Sequence, residues 1–163
     1  LKEHLRKLHQ EDRHLVLLFA EAQEMSSGTL NELKLLTNLN GDGRNYLTIV
    51  LVGQPELRER VATLPAIDQR ISLRFHLAPL TPSETAAYLQ HRLKEAAHQT
   101  GDLFAEEAVQ RMHFASRGIP REINRIAKLA LEVAWLNEFP VVTASAVDAV
   151  VRDLQRHQKF RAA

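Results

Sequence analysis

The chain has 163 residues, of which 45% are hydrophobic and 25% charged, with a formal net charge of +1. These are globular proportions, enough for one well-buried domain or for a small sheet layer plus a small helical layer, and they exclude disordered and fibrous classes. With no Cys there are no disulfides, thiolate nucleophiles or Cys-ligated zinc, and apolar runs of about six residues fall far short of the roughly twenty that span a bilayer.

Basic and acidic residues balance in both halves, and no block of Lys and Arg predicts nucleic-acid affinity from charge alone. The chain opens on Leu1 rather than Met and shows no basic-then-apolar leader, which reads as a piece of a longer product. Leu1, Leu5 and Leu8 recur at helical spacing between charged residues, predicting an amphipathic helix to about Asp12. Leu15 to Ala20 is continuously apolar, the pattern of a strand buried on both faces of a parallel sheet, and it stops at Glu21-Ala22-Gln23-Glu24.

Ser27-Gly28-Thr29 opens a helix carrying Leu30, Leu33, Leu36 and Leu39, which ends at the turn formers Asn40-Gly41-Asp42-Gly43. Leu47 to Val52 is a second buried strand, followed by Gly53-Gln54-Pro55, with Pro55 expected at the first position of a helix to about Thr63. Strand, helix and strand of these lengths predict a parallel βαβ unit. From Ile71 the pattern alternates, with Ile71, Leu73, Phe75 and Leu77 on one side and Ser72, Arg74 and His76 on the other, predicting a strand with one polar face.

Pro79-Leu80-Thr81-Pro82 breaks the chain, so the expected division is an αβα core over residues 1–79 and a helical lid over 80–163. Thr81-Pro82-Ser83-Glu84 is a capping box, opening a helix to about His98. Three further helices are expected, over about Ala105–Ser116 and closed by Gly118, from Pro120 with Ile123, Ile126, Ala127, Ala130, Val133 and Ala134 buried, and from Thr143 with Val147, Val150, Val151 and Leu154 as its stripe. Trp135 reads as a packing residue of the third helix. The fold class expected is α/β, a partial parallel sheet with helices followed by an all-α lid of about four helices.

An apolar strand ending in an acid-rich turn is how P-loop hydrolases place the carboxylates that hold magnesium and polarise water, which makes Glu21 the candidate; a Glu after a strand can also simply face solvent. Four motifs in order, Leu-Leu-Phe-Ala-Glu-Ala-Gln (17–23), Gly-Gln-Pro-Glu-Leu (53–57), Asp-Gln-Arg-Ile (68–71) and Gly-Ile-Pro-Arg-Glu-Ile-Asn (118–124), resemble the AAA+ ATPases of the ExeA-like family, general secretion pathway protein A. The resemblance covers almost the whole chain.

That resemblance implies an ATPase that binds ATP and magnesium between sheet and lid. It implies Glu21 as catalytic base and Gln54 as sensor of the γ-phosphate. Arg70 would be an arginine finger, with Arg74 in reserve, and Arg121 a lid contact to the γ-phosphate. Where the family carries Asp, this chain has Ala20, which offers no lone pair to magnesium, leaving Glu24 as a reserve carboxylate. Each of Gln54, Arg70, Arg74 and Arg121 also reads as a turn or ion-pair residue, with Glu122 a possible partner for Arg121.

No Gly-x-x-x-x-Gly-Lys-Ser/Thr occurs, so ATP and magnesium are expected for a loop-containing parent and not for this chain alone, as an upstream truncation explains. No metal site is expected from the scattered His residues. By resemblance the parent is a homo-oligomer on the cytoplasmic side of the inner membrane, without membrane insertion, working with a membrane-associated secretion partner in assembling the outer-membrane secretin. Two alternatives stand beside this reading: a DNA-transposition helper ATPase, whose partner is nucleic acid, and a non-catalytic scaffold of ATPase shape.

Overall fold

The computed structural model describes residues 2–41, 44–96 and 103–161. The chain divides into two compact units, Leu1–Phe75 and His76–Ala163.

In the first unit, helix α1 (Lys2–Gln10) leads into strand β1 (Leu15–Phe19), a 3-10 turn over Ala22–Glu24, helix α2 (Ser27–Thr37), a minimal antiparallel pair β2 (Asn40–Gly41) and β3 (Arg44–Asn45), and strand β4 (Leu47–Leu51). Asp42 and Gly43, the middle of the expected turn, lie outside the described residues. β1 and β4 pair in parallel with Leu15 opposite Leu47 and Phe19 opposite Leu51, the βαβ unit that the spacing predicted.

Leu5 of α1 and Tyr46 and Leu47 form a buried cluster, flanked by Leu8, Leu15, Leu36, Leu39 and Ile49. The continuous apolar strands were expected to be buried on both faces. Instead one face is open: Val16 and Leu18 are 55% and 63% exposed, beside Val50 and Val52. Leu17 and Phe19, on the other face, are half-buried, because the alternation of a strand gives the helices only every second side chain.

Helix α3 (Glu56–Ala62) starts one residue later than expected, with Pro55 at its N-cap rather than inside its first turn, and a short helix α4 (Pro65–Asp68) follows. The strand expected from Ile71 does not form. Residues 71–80 carry no ladder, and Leu73, Phe75 and Leu77 are 81%, 83% and 82% exposed. Alternating apolar residues suit a strand, but a strand exists only where a second backbone accepts and donates its hydrogen bonds, and none of the described residues does so for residues 72–79.

The second unit is helical: α5 (Pro82–Glu95), α6 (Glu106–Ser116), α7 (Pro120–Leu136) and α8 (Ala144–Arg161). The expected end of α5 at His98 lies outside the described residues. Leu89, Met112, Ile123, Ile126, Ala127, Ala130, Val147 and Val150 make one apolar core, and burying each of the larger side chains stabilises the unit by about 1.5–3 kcal/mol. Trp135 is not in it: the indole is 78% exposed, because its position on α7 falls outside the stripe formed by Ile123, Ile126, Ala127, Ala130 and Ala134.

Two polar contacts set how these helices meet. Thr85, fully buried on α5, shares a 3.0 Å hydrogen bond with Nδ1 of His113 on α6. After α6 the chain turns through two left-handed residues, Arg117 (φ 54°) and Gly118 (φ 72°), and the Leu80 amide donates to the Gly118 carbonyl at 2.9 Å. A Cβ at Gly118 would overlap the Leu80 carbonyl.

Gly118→Ala therefore carries both a left-handed φ and a backbone clash, and is expected to lower the unfolding free energy in urea by more than about 1 kcal/mol. Gly28→Ala, which meets only Ser26 Oγ at 3.5 Å inside α2, is expected to leave it unchanged or raise it. The capping box forms as its spacing predicted: Thr81 Oγ1 accepts from the Glu84 amide, and the Thr81 amide donates to Glu84 Oε2 at 2.8 Å. The Thr81 amide first, and then its hydroxyl, hold the Glu84 carboxyl below its ordinary range. A depressed carboxyl stabilises the fold above its unfolded-state value and loses that contribution as pH falls through the folded one. Acid titration of stability should thus show a loss below the ordinary glutamate range that is absent in Glu84→Gln and only reduced in Thr81→Ala, which removes the hydroxyl and keeps the amide.

Candidate functional site

β1 and β4 run in the same direction, so both release the chain at the same edge of the sheet. The ladder continues one step past each strand: the Val52 amide donates to the Phe19 carbonyl at 2.8 Å, and the Ala22 amide to the Val52 carbonyl at 2.9 Å. Ala22 is fully buried, which leaves Ala20 and Glu21 to bulge outward between two anchored points. Glu21 takes a left-handed backbone (φ 53°, ψ 36°) and is exposed. A positive φ at a residue with a side chain is uncommon and recurs at functional sites.

Gln23 joins the two strand ends. Its Nε2 donates to Glu21 Oε2 at 2.8 Å, and its Oε1 accepts from the Gln54 amide at 3.1 Å. Gly53 makes room for this bridge, because a Cβ at that position would lie 2.7 Å from Gln23 Oε1 and 3.2 Å from its backbone nitrogen. From α3, the half-buried Arg60 guanidinium donates to the backbone carbonyls of both Gln23 and Met25. The turn that carries Glu21 is thus held from both sides.

Of the residues picked from the sequence, the fold brings Glu21 and Gln54 together at one sheet edge. It does not bring Arg70 to that edge through any bond: Arg70 sits just past α4, exposed, with Nη1 donating to Thr37 Oγ1 at the end of α2 at 3.0 Å. Arg74 is engaged by Asp68, at 2.6 Å to the carboxylate and 3.1 Å to the carbonyl. Arg121 lies in the first turn of α7 in the second unit, exposed and with no ion-pair partner among the described residues. Glu122, considered as its partner, pairs instead with Arg125 at 3.6 Å.

Ala20 presents only a methyl group at the strand end. Among the described residues there is no group of three or more His, Asp or Glu side chains placed to hold a metal ion, and no helix is long and apolar enough to cross a membrane. Sequence reasoning missed Gln23, Gly53 and Arg60 as parts of this site. Gln23 stood inside a quoted motif, but nothing in the order of residues says that its side chain reaches a strand 31 positions away.

Comparison with known proteins bears on the family and the fold. A family profile described as an AAA domain matches residues 1–61. General secretion pathway protein A of Aeromonas hydrophila is 39% identical over 137 residues, covering 83% of this chain; the chain spans 25% of that relative's length. Two structures of the Aeropyrum pernix ORC2 protein share the fold: the ADPNP-ADP complexes at a TM-score of 0.69 and 18% identity, and the ADP form at 0.65 and 17%. Each covers 93% of this chain, which spans 42% of theirs.

Arg60→Met should remove two charge-assisted bonds to the Glu21 turn and lower the unfolding free energy by about 1–3 kcal/mol. Arg58→Met, exposed on the same helix, should change it by less than about 0.5 kcal/mol when both are measured in urea.

Proposed function

Because this chain has the AAA+ fold and is a homologue of general secretion pathway protein A, we propose that it is the hydrolysis-and-lid part of an ATPase that couples ATP hydrolysis to the assembly of a secretion machine. The observation that carries this reading is the junction of Glu21 and Gln54 through Gln23 at one end of two parallel strands.

The side chains present suit the hydrolytic end of a nucleotide, a free carboxylate oxygen beside a carboxamide at the strand tips. They do not suit magnesium at Ala20, which has no oxygen to give. ATP supplies the phosphoanhydride whose terminal phosphate passes to water. Glu21 acts as general base: Oε2 is occupied by Gln23, so Oε1 orients the attacking water and takes up its proton. The Gln54 carboxamide donates toward the negative charge of the terminal phosphate. Arg121, a cation at the start of α7 without a partner among the described residues, is proposed as a γ-phosphate contact on the family resemblance alone.

Arg70 is the arginine that acts on a neighbouring subunit, its Thr37 bond being an exposed contact that is readily exchanged. We further propose a homo-oligomer on the cytoplasmic face of the inner membrane, acting on a membrane-associated component of the secretion machine. Ala20 favours a second reading, in which the module keeps its shape for protein contacts and hydrolyses nothing.

The test is the ATPase rate of the full natural chain. Under the first reading Glu21→Gln reduces turnover by about 10²–10⁴-fold, and Ala20→Asp raises it by supplying the missing oxygen. Unchanged hydrolysis in Glu21→Gln refutes the role of Glu21. No hydrolysis in the natural chain, with partner binding retained, establishes the second reading.

A further inference from the structure

Resting on the reading of Glu21 as the water-activating carboxylate, we propose that Gln23 is the positioning residue of the site: its carboxamide fixes the Glu21 carboxylate and the Gln54 backbone in one arrangement, so that base and sensor move as a unit.

The chemistry of the bridge admits one orientation. The Glu21 carboxylate can only accept and the Gln54 amide can only donate, so Nε2 must face the first and Oε1 the second, as they do at 2.8 and 3.1 Å. A flipped amide would set oxygen against oxygen and N–H against N–H. A Glu at position 23 could satisfy only Gln54, and an Asn, one methylene shorter, could not span both.

The surroundings hold the bridge rather than merely permit it. Ala22 is locked by the Val52 carbonyl and full burial, Arg60 grips the Gln23 carbonyl, and Gly53 vacates the space that Oε1 fills. Glu21 itself is carried in a left-handed backbone conformation that leaves its side chain within reach of residue 23. These restraints act on the turn that carries Glu21 and on Gln23, whose Nε2 alone holds the carboxylate.

Stability does not explain the arrangement. Glu21 and Gln54 are both exposed, and hydrogen bonds to exposed groups exchange with water and contribute little net free energy. What the bridge does supply is direction. A general base works only when its free oxygen lies within hydrogen-bond reach of the water, and a misplacement near 1 Å can cost about a hundredfold in rate. Holding Oε2 leaves Oε1 aimed and the carboxylate unable to swing away.

Gln23→Met keeps the length and volume of the side chain and removes both bonds, which makes it the variant of choice in the full natural chain. Turnover should fall about ten- to hundredfold, while the affinity for a non-hydrolysable ATP analogue stays within about twofold, the loss falling on kcat and not on binding. In a Glu21→Gln background the same substitution should cause no further loss, since it acts through Glu21. Independently of activity, backbone hydrogen exchange in the nucleotide-free protein should speed up at Gln54, whose amide loses its acceptor.

Unchanged turnover in Gln23→Met, an equal loss of analogue affinity, an additive loss on top of Glu21→Gln, or unaltered exchange at Gln54 would each overturn the proposal. Should Glu21→Gln abolish hydrolysis while Gln23→Met does not impair it, only the role of Gln23 fails. Should Glu21→Gln hydrolyse normally, the reading on which it rests fails with it.

Discussion

Two strands that run the same way and pair residue for residue deliver whatever follows them to the same edge, and the candidate site depends on that constraint. Leu15 to Phe19 lies against Leu47 to Leu51 in parallel, so an acidic turn and a Gly-Gln-Pro turn, far apart in the chain, leave the sheet together. An antiparallel pairing of the same two segments would send Glu21 and Gln54 to opposite ends. The crossover helix α2 is what permits the parallel arrangement, since a tight turn cannot return a chain to a parallel strand. One continuous ladder, extended through Val52 and Ala22, then fixes the turn on which Glu21 is raised.

The second unit answers a different constraint, the burial of an apolar stripe on each of several helices. Ile123, Ile126, Ala127, Ala130 and Ala134 face Met112 and Val147 in its core, and this sets the rotation of α7 about its axis. With that rotation fixed, Arg121 at the start of the helix is held in solvent, as its place outside the stripe requires. The beginning of α7 is placed in turn by the Arg117-Gly118 turn, whose carbonyl accepts from Leu80. The residue types at those positions follow from geometry: only glycine fits against the Leu80 backbone at φ 72°.

Much of this was legible in the order of residues because the signals are local. Apolar runs and helical spacing located β1, β4, α2 and the helices of the second unit, and the Thr81 to Glu84 spacing specified a capping box that forms with both of its bonds. The residues 71–77 show the limit of such signals. Alternation there is as regular as in any strand, yet Leu73, Phe75 and Leu77 lie in solvent, because periodicity records a preference for a pleated surface and cannot supply the neighbour that surface pairs with. Trp135 shows it again: a single large apolar residue in an apolar run says little about which face of the helix it occupies.

For the site, the sequence by itself determined which side chains stand at the strand ends, since Glu21 follows one apolar run at once and Gln54 follows the other after Gly53, and a strand's end is where its chain turns toward solvent. It also determined that Ala20 has no oxygen to offer, whatever the fold. Only the tertiary structure decided which of these groups act on one another. Gln23 reaches Gln54 across 31 residues, Arg60 reaches back across 37 to the Gln23 carbonyl, and Arg74 turns aside to Asp68. Hydrogen bonds of this kind are made by side-chain direction and strand register, which belong to the packed chain and are written in no single stretch of it.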